Sequence, residues 1–175
     1  GKKRFACFFD ICKAYDTVPR NLLFYTLLKE YKIGGNFLKI LQQMYSENYI
    51  YIKLAEGCCD PFVSTVGVLQ GETNSSLIFN LFVNKISEVF DESCDPVLIN
   101  DTKQSCLLWS DDLFVVSQSA EGLQNAINNV VAFYDSLGLK CNSKKTKILI
   151  FNQSGRVLKG FKFFLNGIEL EVVES

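Results

Sequence analysis

Cys106-Leu107-Leu108-Trp109-Ser110-Asp111-Asp112-Leu113-Phe114-Val115-Val116 sets two adjacent carboxylates between two apolar runs. Flanks of this kind predict two short, largely buried strands joined by a tight turn, a hairpin with acid at its tip. Neighbouring negative charges repel, and an apolar wall makes each costlier to desolvate. A fold that tolerates such a pair usually holds a cation there, so Asp111 and Asp112 lead the search for a site.

Working outward, Phe5-Ala6-Cys7-Phe8-Phe9 is a continuous apolar run, a buried strand that ends at Asp10. Asn21 is placed to cap a helix running to about Tyr31, with Leu23, Leu27 and Tyr31 on one face and Gly34-Gly35 as its stop. A second helix starts at Asn36, where Phe37, Ile40, Leu41, Met44 and Tyr45 fit the buried-face template of a helix. Tyr49 to Leu54 and Phe62 to Val66 read as strands. Thr73 to Phe90 is helical again, with Ile78, Phe82, Ile86 and Val89 inward. Ser119 caps a helix that turns Leu123, Ile127, Val130 and Tyr134 inward and ends at Gly138. Ile148 to Phe151 is a strand, and Phe161 to Val173 reads as a hairpin with Asn166-Gly167 at its turn. Helices alternating with antiparallel strand pairs predict an α+β fold, a two-layer α/β sandwich with helices on one face of an antiparallel sheet.

The 175 residues suffice for one domain with a real core, and 48% hydrophobic against 21% charged residues excludes a disordered chain. The longest apolar runs fall well short of the ~20 residues that cross a bilayer, so no membrane association is expected. The chain opens at Gly1 without a charged-then-apolar leader, which reads as a processed product or excised fragment of a protein that is not secreted. Seven cysteines, an odd count without a Cys-x-x-Cys pair, and the lack of any histidine argue against the usual zinc sites and against Ser-His or Cys-His catalysis. Reduced core thiols in a nuclear or cytoplasmic protein are the expectation.

Net charge is -1, but its distribution is uneven. Ser136 to Ile168 carries Lys140, Lys144, Lys145, Lys147, Arg156, Lys159 and Lys162 and no acid. Glu88 to Asp112 carries seven acids against Lys103. A basic stretch beside an acidic centre suits a site that holds metal and a polyanion together; a solvated lysine face reads equally well from the sequence. Asp10 ends one apolar strand as Asp111 follows another, and sheet ends bring distant residues together. Asp10, Asp111 and Asp112 would then offer hard oxygen ligands suited to Mg²⁺ or Mn²⁺. An Asp-Asp pair taken alone is more often a surface turn or helix cap; the apolar flanks and the second acid-ended strand weigh against that reading.

In chain order these segments resemble the reverse transcriptases of non-LTR (LINE-type) retrotransposons. Phe9-Asp10-Ile11-Cys12-Lys13-Ala14-Tyr15-Asp16-Thr17-Val18 resembles the family's F-D-x-x-K-A-[FY]-D-x-V motif. Gly67-Val68-Leu69-Gln70-Gly71 with Leu77-Ile78-Phe79-Asn80-Leu81-Phe82 resembles G-V-x-Q-G…L-F-N-L-F. Trp109-Ser110-Asp111-Asp112-Leu113 stands in the place of [FY]-A-D-D-L. Gly138 to Lys147 resembles G-L-x-x-N-x-x-K-T-K, and Asn166-Gly167-Ile168-Glu169-Leu170 resembles the hairpin that follows.

The resemblance implies a polymerase palm over residues 1–175, with fingers and thumb largely missing, acting on an RNA or DNA template-primer and a dNTP. It implies that Asp10 and Asp111 bind two catalytic Mg²⁺ or Mn²⁺ ions, with Asp112 supporting them. It also implies that Tyr15 packs under the incoming sugar, that Gln70 and Gly71 touch template and nucleotide, and that Lys145 lies near the leaving pyrophosphate. The chemistry implied is nucleotidyl transfer to a primer 3′-hydroxyl, with little polymerisation by this piece alone. Trp109-Ser110 departs from the family's aromatic-Ala, Glu72 stands where Asp or Cys is common, and Asn74-Ser75-Ser76 replaces Leu-Ser-Pro. Two other readings compete. A diguanylate cyclase would require a Gly-Gly-Asp-Glu-Phe-like turn, which Trp109 to Leu113 fits poorly. A degenerate, inactive retroelement remnant would bind nucleic acid weakly at most.

Overall fold

The computed structural model describes residues 3–46, 48–72, 74–152 and 160–173. Thr73, the expected start of the third helix, and Arg156 and Lys159 of the basic stretch lie outside the described residues. In chain order the elements are β1 (Arg4–Phe9), a 3₁₀ turn (Tyr15–Thr17), α1 (Arg20–Lys29) and α2 (Gly35–Ser46). Four two-residue strands follow, β2 (Tyr49–Ile50), β3 (Lys53–Leu54), β4 (Gly57–Cys58) and β5 (Phe62–Val63). Then come α3 (Ser75–Val83), two 3₁₀ segments (Asn84–Val89 and Glu92–Cys94), β6 (Val97–Ile99), β7 (Thr102–Gln104), β8 (Cys106–Trp109) and β9 (Asp112–Ser117). The chain closes with α4 (Ala120–Ser136), β10 (Lys147–Phe151), β11 (Phe164–Leu165), β12 (Ile168–Glu169) and β13 (Glu171–Val173). The architecture is α+β. It divides into two compact units, one of Gly1–Ala14 with Val83–Ser175 and the other of Tyr15–Phe82.

The first unit is built on a five-stranded sheet in the order β13-β10-β1-β9-β8. Its pairs are antiparallel except the edge strand β13, which runs parallel to β10. Strand side chains alternate between faces. Phe5, Cys7 and Phe9 of β1, Leu113, Val115 and Ser117 of β9, and Ile148 and Ile150 of β10 share the buried face. α4 covers it with Leu123, Ala126, Ile127, Val130 and Tyr134. Each fully buried aliphatic side chain contributes roughly 1.5–3 kcal/mol, so this layer is the unit's main stabilising element. As the sequence predicts, the Ser119 hydroxyl caps α4 by accepting the Gly122 N–H at 3.1 Å. A side chain at Gly122 would meet Asp95 Cβ and Ser117 Oγ at 2.6 Å and the Cys94 carbonyl at 2.7 Å, so glycine alone permits this close seating of the helix start.

The opposite face corrects the expectation of two largely buried strands. Leu107 and Trp109 are exposed, Trp109 by 82%, because they alternate onto the face that α4 does not cover. The expected C-terminal hairpin is present as β11 and β12, with Asn166 and Gly167 both at positive φ, as a two-residue hairpin turn of this twist needs. The parallel docking of β13 was not anticipated.

In the second unit α1 runs Arg20–Lys29 after Pro19, not from an Asn21 cap; Leu23 and Leu27 are buried as expected, while Tyr31 lies past the helix end. α2 buries Leu38, Leu41 and Tyr45, and leaves Phe37, Ile40 and Met44 exposed. The helix is apolar on more than one side, so periodicity alone could not choose the buried stripe. The two expected strands, Tyr49 to Leu54 and Phe62 to Val66, shorten to two-residue pairings of β2 with β5 and β3 with β4. The expected helix to Phe90 ends at Val83 and tightens into 3₁₀ turns. Among the described residues no helix is long and apolar enough to cross a membrane.

Candidate active site

Trp109 pairs with Asp112, so Ser110 and Asp111 form a two-residue turn at the tip of the β8–β9 hairpin. Ser110 takes a left-handed φ of 59° at the first turn position, a conformation glycine adopts freely and other residues adopt at a cost of about 1 kcal/mol. Asp112 is exposed and Asp111 half-buried, so neither acid is walled in as the apolar flanks had suggested. Phe9 pairs with Leu113, which brings Asp10, the next residue of the central strand, level with Asp112 on the adjacent strand. Neighbouring strands lie ~4.8 Å apart. The sheet therefore gathers Asp10 and the Asp111-Asp112 tip at one end, as the sequence anticipates. Among the described residues no three His, Cys, Asp or Glu side chains stand close enough together to hold a metal by themselves.

Asp10 lies just outside the β1–β10 ladder, and its backbone is satisfied by the turn that precedes β10. Its N–H donates to the Thr146 hydroxyl at 3.3 Å, and its carbonyl accepts the Asn142 N–H at 2.8 Å. Lys145 Nζ stands 3.7 Å from Asp10 Oδ1. Three other lysines of the basic stretch are paired with acids: Lys140 with Asp135, Lys147 with Glu171 and Lys162 with Glu169. Local pairing thus offsets part of the positive charge that the sequence concentrates there.

Beside Asp112 the uncovered sheet face carries a groove of about 580 Å³ lined chiefly by Phe8, Leu107, Trp109 and Phe114. Phe8 and Phe114 meet across it with ring centroids 4.6 Å apart. Behind the sheet, burial pushes the Cys141 thiol up to about 12, raises Cys7 and the Tyr134 phenol well above their usual values and raises Cys106. These thiols stay protonated near neutrality, which makes them packing groups and not nucleophiles.

Tyr15, Gln70 and Gly71 belong to the Tyr15–Phe82 unit. The Tyr15 ring stacks on Phe79 at 4.8 Å and 17°, and its hydroxyl donates to Ser76 Oγ at 3.4 Å. The Gln70 amide donates to Asp16 Oδ1 at 2.8 Å. Gly71 has a φ of 85° in open space. Gly67 has a φ of 84°, and a side chain there would strike the Asp16 and Tyr15 carbonyls at 2.7 and 2.8 Å.

The guanidinium of Arg20, nine-tenths buried, organises the approach to this turn. It donates to the carbonyls of Gly67 and Tyr45 at 2.9 Å, Val66 at 3.1 Å and Ser64, and to Ser64 Oγ at 3.0 Å. It also lies 5.1 Å over the Tyr45 ring. Burial draws its pKa below the usual value. Sequence reading did not single out Arg20, because a lone arginine opening a helix carries no pattern that marks it as buried. Thr146 and Asn142 were also missed, although both lie inside a quoted motif.

The sequence profile described as "Reverse transcriptase (RNA-dependent DNA polymerase)" matches residues 1–163. The Pol polyprotein of the type-2 retrotransposable element R2DM of Drosophila melanogaster is 24% identical over 136 residues, 78% of this chain and 13% of that protein. The corresponding protein of element R2 from Bradysia coprophila is 26% identical over 150 residues, 86% of this chain and 17% of that one. The chain thus spans under a fifth of the length of these relatives. Among solved structures, apo telomerase of Candida tropicalis, truncated from its C-terminal domain, superposes with a TM-score of 0.63 at 17% identity over 97% of this chain and 34% of that one. Telomerase of Candida albicans, in complex with a fragment of telomeric RNA, gives 0.59 at 18% identity over 95% and 29%. Such distant structural likeness speaks for the fold, and the profile match over nearly the whole length decides the family: the chain belongs to the reverse transcriptases, on the side of the non-LTR retrotransposons.

Proposed function

We propose that residues 1–175 form the palm of an RNA-directed DNA polymerase, which joins a dNTP to a primer 3′-hydroxyl on an RNA or DNA template. The observation that carries this reading is the meeting of Asp10 with the Asp111-Asp112 tip at one end of adjacent strands. The donor set fits a hard divalent cation: carboxylate oxygens, without histidine. Mg²⁺ at phosphate-handling sites binds through one or two carboxylates, which these acids would supply, completed by water and substrate phosphates. When bound, two Mg²⁺ or Mn²⁺ ions would activate the attacking hydroxyl and stabilise charge on the leaving phosphate.

The chain's own residues do the positioning. Asp10 and Asp111 would hold the ions, with Asp112 supporting them. Tyr15, kept in place by Phe79 and Ser76, packs under the nucleotide sugar. Gln70 and Gly71 meet template and nucleotide, and Lys145 offers its ammonium to the leaving pyrophosphate. Template binding draws support from the RNA-bound telomerase that shares the fold. We place the site of action in the nucleus or cytoplasm, in keeping with an odd number of cysteines, several of them within apolar runs.

The test is Asp111→Asn in the whole protein, assayed for template-primed dNTP incorporation with Mg²⁺ and with Mn²⁺. Loss of roughly 10³-fold in rate with an unchanged melting temperature is expected, the size of removing several kcal/mol of metal-borne stabilisation. A whole protein that incorporates nothing on any RNA or DNA template belongs to the remnant reading instead. Robust primer extension by the 175-residue chain alone would refute the expectation that this piece needs further domains.

A further inference from the structure

We infer that the hydroxyl of Thr146 is a positioning residue for Asp10, and that it sets the affinity of this carboxylate for the catalytic cation; the inference rests on the proposed metal site. Continuing the register Cys7–Ile148 and Phe8–Lys147 would set Asp10 opposite Lys145 in an unbroken ladder. Instead the ladder stops at Phe8–Lys147, and the segment from Asn142 to Thr146 folds into a turn. The Asn142 carbonyl accepts the N–H of Lys145 at 3.2 Å and of Thr146 at 2.9 Å, and its Oδ1 accepts the Lys144 N–H at 3.2 Å.

A strand that leaves its ladder orphans backbone groups, and an orphaned, part-buried N–H is costly. At Asp10 both groups are recovered from this one turn. Thr146 Oγ1, with its residue fully buried, takes the Asp10 N–H, and the Asn142 N–H meets the Asp10 carbonyl. Two residues on, the Cys12 N–H reaches the Lys140 carbonyl at 2.8 Å, and Ile11 bridges to Cys141. The backbone from Asp10 to Cys12 is therefore moulded on residues 140–146. Of these contacts, the Thr146 bond is the one made by a side chain, so it is the one a substitution can remove while the backbone scheme is kept. Its position explains how Asp10 leaves the ladder without losing a fixed backbone.

Thr146→Val keeps the shape and burial of the side chain and removes the acceptor; Thr146→Ser keeps the acceptor. In the whole protein, Mn²⁺ binding measured by titration with the metal alone should weaken roughly tenfold in Thr146→Val, the usual scale for losing a group that orients a metal ligand. It should stay within about twofold of wild type in Thr146→Ser. The Asp10 amide should exchange faster with solvent in Thr146→Val, while the Cys7 amide in mid-ladder does not. Half-saturation by Mg²⁺ in the incorporation assay should rise, with the rate at saturating Mg²⁺ little changed. A merely structural hydroxyl would instead lower the melting temperature of Thr146→Val, with Thr146→Ser largely spared, and leave Mn²⁺ affinity alone. Wild-type affinity in Thr146→Val overturns the inference, as does equal weakening in both variants. If wild-type protein binds no Mn²⁺ that Asp10→Asn abolishes, the metal reading itself falls and the inference with it.

Discussion

The acid-tipped sheet holds its backbone through one continuous five-stranded ladder under an apolar helix, whereas the Tyr15–Phe82 unit has two-residue strands and gives several carbonyls to one arginine. In the sheet, stability is spread over many buried aliphatic contacts, none of them unique. In the other unit, the carbonyls of Ser64, Val66 and Gly67 all accept from Arg20, and so one side chain, helped by the Ser64 hydroxyl on Val66, shapes the turn toward Gln70 and Gly71. The difference teaches that one fold can rest a regular region on pattern and an irregular one on a keystone.

The sharpest way to break this contrast is to remove the keystone. Arg20→Met should cost roughly 4 kcal/mol, because the buried Gly67 and Tyr45 carbonyls lose their donor, and it should speed hydrogen exchange of amides 66–69 while those of β1 and β9 stay protected. A cost under about 1 kcal/mol would mean that Arg20 holds nothing. In the sheet unit, Ile127→Ala at a fully buried position of α4 should cost about 3 kcal/mol by denaturant unfolding, with exchange rising across β1 and β9 together. Gly67→Ala should cost about 2 kcal/mol, since the left-handed φ and the Asp16 and Tyr15 carbonyls both resist a side chain.

Alkaline conditions should separate the units next. Cys141 has an ordinary thiol value of 9.0, raised by burial to about 12 in the fold. Its contribution is therefore fully present below about pH 9 and lost as pH rises from about 9 to 12, with a loss of about 1 kcal/mol by pH 9.5 that Cys141→Ala should abolish in pH-dependent unfolding. The smallest effect should be a gain. The Tyr134 hydroxyl is buried without a hydrogen-bond partner, so Tyr134→Phe should stabilise by under about 1 kcal/mol in thermal melts.

Legibility in the sequence follows the same division. β1, the β8–β9 hairpin, α4 with its Ser119 cap, and the Asn166-Gly167 hairpin were all readable, because each is local: an apolar run, an alternation, a capping hydroxyl, a turn dipeptide. The buried face of α2 and the lengths of β2 to β5 were not, since apolar residues on several sides leave the choice to whatever packs nearby. For the candidate site, the three acids stood out through apolar flanks and strand ends. The groups that hold them did not, because Thr146 and Asn142 act on Asp10 across more than 130 positions of chain.

By itself the sequence determined the acid-ended strands, the order of the motifs and, through them, the family. Those features are written in short-range patterns of apolar, acidic and turn-forming residues that need no partner to be recognised. Tertiary structure alone decided which sheet face α4 covers, that Asp10 stands level with Asp112, that β13 docks parallel, that the Thr146 hydroxyl takes the Asp10 N–H and that Arg20 is buried. Each of these depends on register or on a hydrogen bond between residues far apart in sequence, and a one-residue shift in register would have turned the same side chains to the opposite face.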